Sequence, residues 1–196
     1  MSTRTRWSRR IALVVAFTGL AVPAHAQKEW SGRLLGANEN PANASAAYGW
    51  ADVVLTGNIL TVNETWQGLT GGNAAAAHIH CCVAPGSNVG VAIPFTGFPN
   101  TASGTYFGTF DLTNLAVYTA TFVANFGGGT AAGAEAALIA GLDAGNAYAN
   151  IHDQVYPGGE IRANLVVATP EPSSIMLVAS GLVGFAGLGW SRRRSA

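Results

Sequence analysis

Four residues within five positions carry most of the distinctive chemistry of this chain. In AAAAHIHCCVAPG, Ala74 to Gly86, stand His78, His80, Cys81 and Cys82, out of four histidines and two cysteines in all. A third histidine, His152, lies far along the chain in AYANIH. On a strand, residues two apart face the same side, so His78 and His80 point together, and Cys82 joins them if the strand continues. Neutral imidazole and thiolate suit Zn²⁺ or Cu²⁺, which makes His78, His80, His152 and Cys82 a candidate ligand set and copper or zinc the candidate cofactor. Two further roles are open to the imidazoles: locking turns through bonds to backbone carbonyls, and recognising a partner at the surface.

The adjacent cysteines pose their own problem. A trans peptide holds neighbouring Cα atoms about 3.8 Å apart, below the usual disulfide range. Exported proteins nevertheless meet an oxidising compartment in which thiols pair. A vicinal Cys81–Cys82 bridge in a distorted turn, metal ligation by Cys82, a bond to another chain, and burial as small hydrophobes are the alternatives.

The ends of the chain predict where this chemistry is delivered. Arg4, Arg6, Arg9 and Arg10 precede the apolar Ile11 to Leu20, and Ala24-His25-Ala26 presents small residues to a signal peptidase. Residues 1–26 therefore read as a signal peptide, with the mature chain starting at Gln27. At the other end, Ser173 to Trp190 is an uncharged run of 18 residues followed by Arg192, Arg193 and Arg194. A helix of that length just crosses a hydrocarbon core about 30 Å thick, and the arginines stay inside. Residues 27–168 form the folding unit and 169–196 the C-terminal address, with the spanning helix at 173–190.

Between Gln27 and Thr169 only Lys28, Arg33 and Arg162 are basic, against nine acids, a net charge of −6. Without a basic stripe, nucleic acid is excluded as a partner. Phe126 to Gly129 lacks the Lys-Ser/Thr of a phosphate loop, and no Gly-X-Ser-X-Gly elbow or spaced triad occurs, so no catalytic residue is assigned.

The elements that must position the histidines are short and β-rich. Glu29 to Ala37 alternates and ends in NENPAN. Ala47 to Trp66 reads as a hairpin with Gly57-Asn58 at its tip. Gly90 to Phe95 is a short run in which Pro94 argues against a central strand. Gly104 to Leu112 and Val117 to Phe126 read as strands, and Thr130 to Gly145 as a short helix. Ala147 to His152 and Glu160 to Val167 are strands joined across Pro157-Gly158-Gly159, with Glu160 and Arg162 on one side, placed to pair with each other or with nearby charges. The expected fold is all-β: an antiparallel Greek-key or Ig-like sandwich or barrel with one short helix.

Three phrases, LLGANENP (34–41), LTGGNAAAAHIH (69–80) and AGLDAGNAYANIHDQVYPGGEIRANL (140–165), resemble in order the CHRD domain, a chordin-type module. The resemblance implies a β-rich extracellular fold and no firm activity. Pro170-Glu171-Pro172, the apolar span and the arginine cluster resemble the PEP-CTERM sorting signal of bacterial surface proteins. That resemblance implies processing by an exosortase, a transient stay in the inner membrane, and delivery to the cell envelope or outer surface. The function so implied is a non-catalytic binding or adhesion module, with extracellular polysaccharide or surface proteins as partners; a copper- or zinc-binding or redox protein is the alternative.

Overall fold

The computed structural model describes residues 27–168. Ala24, Ala26, the proline–glutamate–proline triplet at 170–172, the apolar run at 173–190 and Arg192 to Arg194 lie outside the described residues. Among those described, no helix is long and apolar enough to cross a membrane.

Eight strands occur in chain order: β1 (Gln27–Leu35), β2 (Tyr48–Thr56), β3 (Ile59–Gln67), β4 (Ala76–Cys81), β5 (Val91–Pro94), β6 (Gly104–Asp111), β7 (Ala147–His152) and β8 (Ile161–Val167). They form one sheet in the order β5-β4-β7-β8-β1-β2-β3-β6, antiparallel at every junction. The all-β expectation holds, in the form of a single sheet curled into a half-barrel. Its two edge strands meet through side chains. Phe95, just after β5, packs on Tyr106 and Phe110 of β6 with ring centres 5.2 and 6.0 Å apart, and Tyr106 donates to Thr96 O.

Period-two alternation sorts the two faces of this sheet. Ala77, Ile79, Cys81, Ala149, Ile151, Ile161, Ala163, Trp30, Leu34, Val53 and Val62 point inward and are buried. The hairpin tip falls at Gly57, whose φ of 60° suits glycine. Pro94 sits on the edge strand β5, where a missing N–H does least damage.

Two helices pack against the curled sheet. In α2 (Ala131–Asp143), Ala134, Leu138, Gly141 and Leu142 make one buried stripe at helical spacing, and the Thr130 hydroxyl caps Gly133 N. The structure differs from the expected strand over Val117 to Phe126, which instead forms a 3-10 turn and α1 (Ala120–Asn125). Thr119 caps Phe122 N, and Tyr118, Phe122 and Phe126, four apart, stack with centres 5.9 and 5.4 Å apart. That spacing is helical and outweighs the alternation of β-formers around it.

Candidate functional site

The histidines lie on the outer face of the sheet, opposite the core. Antiparallel pairing of β4 with β7 sets Ala76 beside His152, His78 beside Asn150, and His80 beside Tyr148. Pairing of β7 with β8 extends these rows to Arg162 and Asn164. A polar patch thus crosses three central strands, and two loops fold over it: the turn after β1, carrying Glu39, and the segment Ser87 to Val89.

The three imidazoles converge. His78 Nδ1 lies 3.1 Å from His152 Nε2, and the ring centres of His78 and His80 are 5.7 Å apart. One ligand atom from each of the three falls within 4.8 Å of the others. His152 Nδ1 is 3.0 Å from Pro157 O, and His80 Nδ1 is 2.8 Å from Val89 O. Burial lowers the basicity of all three. His78 falls to about 4, helped by the neighbouring His152 and His80. His80 also falls to about 4, with burial outweighing its bonds to Val89 and Asn150. His152 is lowered by burial against a raising bond to Pro157. All three are therefore neutral at pH 7.

The surrounding residues hold this arrangement. His80 stacks on Tyr148 with ring centres 4.5 Å apart and planes 4° from parallel. The Arg162 guanidinium, only 1 % exposed, lies 3.4 Å from the same ring. Arg162 donates to Ser87 O, Asn88 Oδ1 and Asn164 Oδ1, so it fastens the loop whose Val89 carbonyl meets His80. Asn150 bridges His80 Nε2, 3.1 Å away, and Glu39 Oε1, 3.4 Å away. Burial raises the Glu39 carboxyl to about 7. Glu39, Tyr148 and Asn150 escaped assignment as site residues, although Asn150 directly precedes the Ile-His motif and Glu39 is the one charge in LLGANENP.

Cys82 does not join the imidazoles. Cys81 and Cys82 form a disulfide across a cis peptide with Cα atoms 3.2 Å apart, so the trans geometry expected from sequence does not apply. β4 ends at Cys81, and Cys82 Sγ packs 3.4 Å from Ala137 O of α2, on the helix side of the sheet. Both sulfurs are committed to the bridge, and the candidate ligand set reduces to three histidines.

Glu160 and Arg162 do not pair. Glu160 turns to a different loop: it accepts from Ser45 Oγ, from Thr70 N and Oγ1 at 2.7 Å each, and from Gly71 N. Burial alone would raise its carboxyl, but bonds from Asp153, Ser45 and Thr70 win and hold it at about 2. Among the described residues the ion pair is Lys28 with Asp143, 2.6 Å apart at the surface.

The other half of the outer face is bare. Arg33, Trp50, Thr65 and Thr105 form one row across β1, β2, β3 and β6, with Tyr48 and Gln67 on one side and Asp52, Asn63 and Phe107 on the other. Tyr48, Trp50 and Phe107 are 48, 43 and 71 % exposed. Tyr48 Oη donates to Gln67 Oε1 and Trp50 Nε1 to Asp52 Oδ1, each at 2.7 Å. A depression of about 700 Å³ opens beside Arg33, Tyr48, Trp50, Gln67 and Ser103.

A single curled antiparallel sheet, with a polar patch built from motifs in its central strands, defines the class: a β-domain. The CHRD domain profile matches residues 30–165, and the chain belongs to that family. The PEP-CTERM protein-sorting motif matches residues 168–194. No curated protein and no solved structure matches the chain. The sorting motif makes this an exported protein, handled by an exosortase and bound for the cell envelope or surface. Neither family is an enzyme family.

Proposed function

We propose that the domain works at the cell surface as a non-catalytic adhesion module, and that the bare face of β1, β2, β3 and β6 engages a hydroxyl-rich extracellular polysaccharide. The observation that carries this reading is the set of three exposed aromatic rings, Tyr48, Trp50 and Phe107, on one solvent-facing sheet surface among Arg33, Asp52, Asn63 and Gln67. Large aromatics on a soluble surface mark interaction sites when they gather on one face. The mixture also suits a sugar polymer: a ring face covers the C–H side of a pyranose, and the neighbouring amides, hydroxyls and charges meet its hydroxyl groups. Two of the rings are held by hydrogen bonds to their neighbours, which reduces the ordering cost of binding.

Retention of the full chain, purified in detergent, in gels cast with the producing cell's own extracellular polysaccharide tests this. The wild type should be retarded, and a Tyr48→Ala, Trp50→Ala variant with an unchanged circular dichroism spectrum should run as it does in a plain gel. Equal retardation of wild type and variant would remove the proposal.

A further inference from the structure

On the covered half of the same face, we infer that His78, His80 and His152 form a three-nitrogen site for one divalent transition-metal ion, zinc or copper. The site is independent of the aromatic face and of any polysaccharide bound there.

Two of the imidazoles have their free nitrogen fixed by the chain itself. A neutral imidazole carries one proton, and a strong acceptor beside one ring nitrogen draws it there. Val89 O sits 2.8 Å from His80 Nδ1 and Pro157 O sits 3.0 Å from His152 Nδ1. Both rings are thereby fixed with the proton on Nδ1 and the lone pair on Nε2. Backbone carbonyls play this part for metal-bound histidines generally, setting both tautomer and ring direction. The two carbonyls come from different loops, so the coincidence is not one of local chain geometry.

A tetrahedral ion with metal–nitrogen bonds of about 2.0–2.1 Å spaces its ligand nitrogens about 3.3–3.4 Å apart. In the metal-free chain His78 Nδ1 donates to His152 Nε2 at 3.1 Å; moving that proton to His78 Nε2 leaves two lone pairs already near ligand spacing, and the three ligand atoms lie within 4.8 Å of one another. A shift of His78 and His152 toward His80 by little more than an ångström closes the set. The His80 ring is kept in place by Tyr148, and Arg162 beneath that arrangement secures the Val89 loop.

Around His80 the hydrogen-bond acceptors are mismatched. With its proton on Nδ1, His80 presents a lone pair from Nε2 to Asn150 Oδ1, 3.1 Å away. Turning the amide over satisfies His80 but sets the amide oxygen against Glu39 Oε1, 3.4 Å from the other end of Asn150, so the opposition persists whenever Glu39 is ionised. A cation at Nε2 relieves it. No carboxylate belongs to the converging set, and neutral nitrogen donors favour zinc and copper over calcium or magnesium.

Calorimetric titration of the full chain in detergent, stripped with chelator, with zinc chloride and with copper(II) chloride tests the inference. One equivalent should bind, at least a hundredfold more tightly than to a His78→Ala, His80→Ala, His152→Ala variant. The milder His152→Ala variant should by itself weaken binding at least tenfold. No saturable uptake, or uptake unchanged by His152→Ala, would overturn the site. Nitrogen NMR of the labelled wild-type imidazoles provides a check that needs no variant to fold. On adding zinc, the Nε2 resonances of His80 and His152 should shift while both Nδ1 atoms keep their protons. Nε2 resonances unmoved by an equivalent of zinc would exclude it.

Discussion

Gly141 of α2 lies directly over Cys81, and the helix can approach only because residue 141 has no side chain. A Cβ there would overlap Cys81 Sγ and stand 2.9 Å from Cys82 Sγ. Gly141→Ala should therefore lower stability by about 1–3 kcal/mol, as forced overpacking does, even though alanine is the better helix former. Urea unfolding of the two proteins measures this, and equal midpoints would show that the helix seats itself elsewhere.

The same packing predicts the state of the cysteines. Alkylation of the denatured, exported protein should label neither thiol unless a reductant is added first, and the untreated mass should be two hydrogens lighter than the reduced mass. Both sulfurs are accounted for within one chain, so no disulfide-linked dimer should appear on a non-reducing gel.

Glu64 yields a pH prediction with a definite sign. It is wholly buried on the core face of β3, neither oxygen has a hydrogen-bond partner, and burial drives its carboxyl well above the ordinary 4.5. Its neighbours across the strands are Ala51 and Tyr106, and neither supplies a positive charge. The folded chain thus keeps a proton that the unfolded chain releases above pH 4.5, so rising pH favours unfolding through this residue. Glu64→Gln removes the effect. Its stability advantage over wild type should grow from about pH 5 upward, by up to about 1.4 kcal/mol per unit. Parallel melting curves across that range would contradict it.

Glu160 acts in the opposite sense. Its carboxylate ties Ser45, Thr70 and Gly71 to the start of β8, and its depressed pKa means that it stabilises the fold at neutral pH and loses this contribution as pH falls toward about 2. Glu160→Gln should cost about 2 kcal/mol at pH 7, in line with hydrogen bonds to a charged acceptor. Hydrogen exchange should accelerate at Thr70 and Gly71 and stay unchanged in α1, on the far side of the sheet order. Uniform acceleration would point to global destabilisation instead.

Much of this was legible because strands expose their logic locally. Alternation and turn residues located β1, β2, β3, β6, β7 and β8, and Pro94 argued against a central place for β5. The pairing of His78 with His80 followed from period two alone. What joined His152 to them was the register of β4 on β7, a contact between residues 74 apart that no local pattern encodes. The departures share one cause: side chains answered to particular partners that strand alternation does not reveal. Tyr118, Phe122 and Phe126 spelled a helix inside a run of β-formers, Cys82 turned away from the histidines to its neighbour beneath α2, and Glu160 chose the amides of Thr70 and Gly71 over Arg162 two residues along.

The short final strand of the sheet has a bearing on life at a crowded envelope. β5 is four residues long and ends in Pro94, so it offers an incoming chain almost no ladder to extend. Many identical copies sorted to one surface could otherwise zip together rim to rim. At this border Pro94 withholds an N–H from any neighbouring copy, so β5 is a poor template for extending the sheet.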